Sequence, residues 1–212
     1  MKQFTLCIVV LFLLSCGDTS GRAMQAYTKG KESYSRKELS QAKEYFLNAA
    51  KLDKKFLNAR LMLAKIYYYE QNFKAALSQV NGILTINEDH IGALYWKARI
   101  LIVNPESKNI DRETTDCLLR VLELDSHHIL ARSLLALLYE KNENYKEALY
   151  EYHGILQEEE SIIDARANLS ILYKRLGLKS KAMDEISAAL SIAKAGGFDD
   201  ARLISLKKEI EQ

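Results

Sequence analysis

Proline is almost missing from this sequence: there is one among 212 residues, Pro105, together with nine glycines. So few breakers leave long helices uninterrupted and argue against a β-rich fold with many turns. No excess of either sign is present, since 30 basic and 28 acidic side chains leave a net charge of +2. Such a balance gives no field that would attract nucleic acid or an anionic membrane face. Outside the N-terminus no apolar stretch approaches the length of a bilayer span. Chemical signatures are absent as well. None of the four histidines, His90, His127, His128 and His153, sits in an HExxH pattern, and no GxSxG, Walker A or GxGxxG occurs. Cys117 lies in the apolar run CLLRVL and reads as a small buried hydrophobe, because a reactive thiol needs a basic, exposed setting. The His127-His128 pair lacks further ligands at metal spacing. The run Glu158-Glu159-Glu160 lacks the alternating-ligand loop of a calcium site and reads as a solvated helix end. These absences point away from an enzyme, a cofactor and a metal site.

What is present is 48% hydrophobic and 27% charged, enough to build a sizeable globular core. The first residues differ in kind. MKQFTLCIVVLFLLSCGD has a positive start at Lys2, an apolar stretch from Phe4 to Leu14 and then Ser15-Cys16, the layout of a secretory signal. Its ending, Leu13-Leu14-Ser15-Cys16, resembles the lipobox of bacterial lipoproteins. That resemblance implies removal of residues 1–15 and acylation of Cys16. Residues 16–22 would then form the lipidated cysteine and a tether of at most ~20 Å. Several acyl chains on one residue make a stable anchor, where a single chain is marginal. Gly17, standing where aspartate is an inner-membrane retention signal in some bacteria, implies the outer membrane, facing the periplasm. With Cys7 lost and Cys16 lipidated, Cys117 would have no intramolecular disulfide partner.

The rest of the chain repeats. Ala42, Ala76, Thr114, Ala148 and Ala182 are separated by 34, 38, 34 and 34 residues. A second small position runs in step at Gly30, Ala64, Ala98, Ala136 and Ser170, followed three residues later by Ser33, Tyr67, Leu101, Tyr139 and Tyr173. Bulky residues fall four after each alanine position, at Phe46, Val80, Leu118, Tyr152 and Ile186. Ala49, Ile83, Val121, Ile155 and Ala189 come three beyond those. A 34-residue period with this order of small and large residues resembles the tetratricopeptide repeat (TPR). The resemblance implies an all-α fold, a right-handed α-solenoid of five TPR helical hairpins plus a C-terminal capping helix. The repeats would be 23–56, 57–90, 91–128, 129–162 and 163–196, with 197–212 as the cap. The small residues let paired helices approach at the short end of the ~8–10 Å range. The large ones fill the gaps beside them.

Two departures stand out. The family usually has proline at the junction between repeats, but Lys54, Glu88, Ser126, Glu160 and Lys194 occupy those places. Asp53, Asn87 and Asp125 just before them still suit turns or caps. The third repeat carries four extra residues within VNPESKNIDRET (103–114). With Pro105 inside, that stretch reads as a protruding loop.

In TPR arrays the first helices of successive repeats line a concave surface that commonly binds peptides. Mapped here, that face carries Tyr27, Lys31 and Tyr34, then Lys65, Tyr68 and Tyr69, then Tyr95 and Arg99. Later repeats place Ser133, Leu137 and Glu140, then Ile171, Lys174 and Arg175 there. Rings interleaved with cations suit a segment bearing carboxylates and apolar anchors. The clamp set of chaperone-binding members is absent, its positions being Tyr27, Lys31, Met62, Gly92 and Trp96.

Together these resemblances imply a lipid-anchored, non-catalytic envelope scaffold that docks protein partners of the cell envelope. The alternative is an accessory lipoprotein of small-molecule uptake, whose tyrosine-lined face holds a ligand or docks a solute-binding protein. Membrane contact would come through the N-terminal lipid, nucleic acid is not expected as a partner, and homo-oligomerisation through repeat faces stays open.

Overall fold

The computed structural model describes residues 2–104, 110–156, 162–196 and 198–212, with side chains from Thr19 onward except that of Ile110. The fold is all-α: eleven helices and, among the described residues, no strand. The chain divides into two compact units, residues 1–108 and 109–212. The first unit holds α1 (Lys2–Ser35), α2 (Leu39–Leu52), α3 (Leu57–Tyr69), α4 (Phe73–Leu84) and α5 (Ile91–Val103). The second holds α6 (Ile110–Leu124), α7 (Ile129–Lys141), α8 (Tyr145–Ile155), α9 (Ile162–Arg175), α10 (Lys179–Gly196) and α11 (Ala201–Glu211). Within the units α1 packs on α2, α3 on α4, α7 on α8 and α9 on α10, while α2 meets α3, α4 meets α5, α6 meets α7, α8 meets α9 and α10 meets α11. The third expected hairpin, 91–128, falls across the division, with α5 in one unit and α6 in the other.

The repeating small and large positions form the cores. Ala42, Ala76, Thr114, Ala148 and Ala182 are wholly buried, as are Phe46, Val80, Leu118, Tyr152 and Ile186. At Gly30 the approach is close: an added Cβ would lie 2.6 Å from the wholly buried Phe46 ring, so a larger residue would have to displace it. In the second unit Leu203, Ile210 and half-buried Leu206 of α11 join the core of α8, α9 and α10, the apolar stripe expected of a terminal cap. Each large side chain so buried contributes about 1.5–3 kcal/mol.

Four of the hairpins turn by one device. Lys37, Gln71, Glu143 and Gly177, in matching places, all have positive φ, between 59° and 72°. The following N–H of Glu38, Asn72, Asn144 and Leu178 reaches back to the carbonyl of Ser33, Tyr67, Tyr139 and Tyr173 at 2.9–3.0 Å, a Schellman closure. Where proline was expected between repeats, an Asx turn stands instead. Oδ1 of Asp53, Asn87 and Asp125 accepts the N–H of Lys55, Asp89 and His127 at 2.8, 3.1 and 3.2 Å. His90 and His128 then cap α5 and α7, each Nδ1 accepting an alanine N–H at 3.1 Å. The His127-His128 pair is thus part of a junction, with His128 as its N-cap.

One expectation is corrected. Residues 110–114 are not loop: α6 begins at Ile110, with Asp111 and Glu113 in its first turn, where carboxylates favour the helix dipole. Residues 17–22 lie inside α1 and so rise about 1.5 Å each, within the ~20 Å ceiling set by an extended chain. Pro105 and the Glu158–Glu160 run lie outside the described residues, as does the side chain of Cys16. Among the described residues no helix is long and apolar enough to cross a membrane.

Candidate functional site

Five of the eight groove residues named from sequence, Lys65, Tyr68, Tyr69, Tyr95 and Arg99, are brought together in the first unit around Trp96. Positions 65, 68 and 69 share one face of α3, and 95, 96 and 99 share one face of α5. Tyr68, Tyr69 and Tyr95 meet the Trp96 ring edge-on, with centroids at 5.3, 6.3 and 6.2 Å. Such tilted pairs contribute roughly 0.5–1.5 kcal/mol beyond burial. Arg99 lies over Trp96 at 4.5 Å from the ring centroid, over Tyr68 at 5.1 Å and over Tyr95 at 5.8 Å. Lys65 Nζ stands 5.6 Å from the Trp96 centroid. Trp96 itself is only 7% exposed and forms the floor, whereas Tyr69 is 54% exposed and offers a ring to solvent.

The electrostatics follow from that crowding. Burial first, and the Arg99 charge second, hold the Lys65 amine below the usual lysine range. Burial raises the Tyr95 phenol above its ordinary value, opposed by Arg99 and by the hydrogen bond between them. Among the described residues no carboxylate pairs with Lys65 or Arg99, although Lys43 on α2 is paired with Glu70 at 2.7 Å.

The other three residues sit differently. Tyr27 packs against Phe46 and Phe56, with centroids at 5.6 and 4.9 Å, and Lys31 Nζ lies 5.4 Å from its ring centroid. Tyr34 packs against the core of Ala42, Phe46, Leu63 and Ile66. It lies near enough to Tyr69 for the two phenols to influence each other electrostatically. Tyr27 and Tyr34 thus support the first hairpin, and Tyr34 links it to the Trp96 cluster.

Trp96 was missed as the centre because it was assigned only to a vacant clamp position. The signal was available: it is the single tryptophan, three residues before Arg99 on a helix. A second feature also went unread. Arg60, Arg132 and Arg166 occupy equivalent places, and the last two pair with Glu151 and Glu185 at 3.0 and 2.6 Å. Arg60 Nε instead donates to the Lys54 carbonyl at 3.3 Å. On the second unit, Glu140 accepts from the Tyr152 hydroxyl at 3.0 Å and also from Arg175. Among the described residues no group of three His, Cys, Asp or Glu side chains is gathered as a metal site would need.

No protein-family model matches the chain, and no curated protein matches its sequence. Solved structures do match. Pseudomonas aeruginosa pilF aligns at a TM-score of 0.76 with 16% identity, covering 91% of this chain and 84% of that one. YrrB, described as a TPR protein with an unusual peptide-binding site, aligns at 0.68 with 18% identity, covering 93% and 97%. The fold is that of tetratricopeptide repeat proteins. MamA from Desulfovibrio magneticus RS-1 aligns at 0.71 with 15% identity over 82% and 96%. At such identities the likeness concerns the fold alone.

Proposed function

We propose that this chain is a non-catalytic scaffold, lipid-anchored at Cys16 in a bacterial envelope, that docks segments of other envelope proteins on the Trp96 face of α3 and α5. The observation that carries the reading is the cluster itself. A fold needs neither two partly buried cations that find no carboxylate among the described residues nor an outward ring such as Tyr69, and both are what a docking surface uses. Support also comes from YrrB, a protein of like fold described as having a peptide-binding site. The lipobox-like Leu13-Leu14-Ser15-Cys16 supports the anchor.

The test is photo-crosslinking from position 69 of the full-length protein in intact cells. A defined protein adduct is expected, and it should disappear on combining Lys65→Glu with Tyr68→Ala. Adducts unchanged by that pair overturn the assignment to this face. Stabilisation by a metabolite library in place of any protein adduct would favour the uptake alternative, since a ligand at 100 times its Kd adds about 2.7 kcal/mol. A Cys16→Ser protein that stays firmly with membranes would contradict the anchor.

A further inference from the structure

Lys31, Lys65 and Arg99 recur at intervals of 34 residues, so the first helices of the first unit present a cation at one repeated place. At the corresponding places in the second unit stand Leu137 and Ile171. The first cation rests on Tyr27, but the next two converge on a single indole. There the charge is unbalanced. Lys65 and Arg99 repel each other across Trp96, and among the described residues no carboxylate compensates them. Elsewhere the chain does supply such partners, as Glu70 does for Lys43 and Glu151 for Arg132.

The surroundings say which anion fits. Arg99 lies over Trp96, Tyr68 and Tyr95 and hydrogen-bonds Tyr95. A guanidinium stacked in this way keeps N–H groups at its edge, in the fork that matches a planar carboxylate. Tyr69, more than half exposed beside the same indole, provides a ring for an apolar or aromatic neighbour of that carboxylate. A small free anion would use the charges and leave the rings unused.

We propose that Lys65 and Arg99 form a carboxylate subsite that takes an Asp or Glu side chain of an acidic segment in the docked partner, with Tyr69 and Trp96 covering an apolar residue next to it. The proposal rests on the docking reading of this face and names the chemistry that the face selects. It also says what the second unit does not do: with Leu137 and Ile171 in those places, no equivalent subsite recurs there.

The probe is an array of 12-residue peptides with a central Glu among varied neighbours. Matched arrays carry Gln or phosphoserine at that position, and the full-length protein in detergent is the reporter. Binding to the Glu array should exceed the Gln array by about ten-fold, as a charge-assisted hydrogen bond allows. In Lys65→Met and in Arg99→Met that advantage should fall close to unity, while Arg99→Lys keeps part of it. Thermal midpoints show which variants are folded, and either folded variant is decisive. Equal binding to Glu and Gln arrays, an advantage that survives both methionine changes, or a preference for phosphoserine overturns the carboxylate subsite and leaves docking on this face standing. Failure to bind any peptide on any array overturns both.

Discussion

In residues 109–212, Arg132, Arg166 and Arg175 each meet a carboxylate, from Glu151, Glu185 and Glu140 respectively. In residues 1–108, Lys65 and Arg99 meet rings instead. The difference continues at equivalent places. Arg60 matches Arg132, but the place of Glu151 is taken in the first unit by Gln79, so Arg60 keeps only the bond to a junction carbonyl that Arg132 also makes, to Ser126. The same scaffold therefore treats cations in two ways. In the second unit they are neutralised within the stack and hold helices together. In the first, Lys43 is neutralised in the same way by Glu70, but Lys65 and Arg99 find no carboxylate among the described residues, which costs stability locally and suits a surface reserved for something else.

Four tests would break or sharpen this contrast. The largest effect is expected from Glu151→Ala, which leaves Arg132 partly buried without its carboxylate. It should cost about 3 kcal/mol in chemical denaturation, while Gln79→Ala at the equivalent place should cost well under that. A similar loss from both would erase the distinction. Next, Ala148→Leu and Ala76→Leu should each overpack a wholly buried helix crossing and cost about 1–3 kcal/mol. Comparable thermal shifts in the two are expected, because packing is what the units share.

Thr114 then offers a gain. It is wholly buried and its hydroxyl has no hydrogen-bond partner among the described residues, so Thr114→Ala should stabilise by about 1 kcal/mol. A lower midpoint would mean that the hydroxyl is satisfied after all. The smallest effect belongs to Lys65→Met, which should raise the midpoint slightly at neutral pH by removing a desolvated, repelled charge. The sign can be checked by titration. Because the folded-state pKa of Lys65 is depressed, the unfolded chain binds more protons between the folded and ordinary lysine values. Wild-type stability should therefore rise with pH relative to Lys65→Met as that window is crossed. A gap that stays constant up to the ordinary lysine range, about 10.4, would contradict the depressed value.

Much of this was legible in the sequence because packing in a repeat is periodic. Small residues such as Ala64, Ala98 and Ala136 and large ones such as Phe46, Leu118 and Ile186 all lie where the 34-residue register put them, buried in helix crossings. The docking face was legible only in part. A position on a first helix does not say whether a ring turns inward, as Tyr27 does towards Phe46 and Phe56, or outward like Tyr69. Trp96 escaped because a nearly buried residue can form a floor as well as a core, and spacing does not separate the two. The loop expected over 103–114 was drawn too long because Pro105 argues only against helix nearby. It does not reach Ile110, where acidic residues restart α6.

The junctions built on Asp53, Asn87 and Asp125 have a consequence of their own. A pyrrolidine ring locks one backbone angle permanently, whereas an Asx bond can open and reform on the timescale of side-chain motion. Each such joint therefore carries a removable side-chain catch beside the backbone bond that Phe56, His90 or His128 makes across it. Loosening one by Asp125→Ala or Asn87→Ala should alter local amide exchange at that joint and leave the neighbouring hairpins closed.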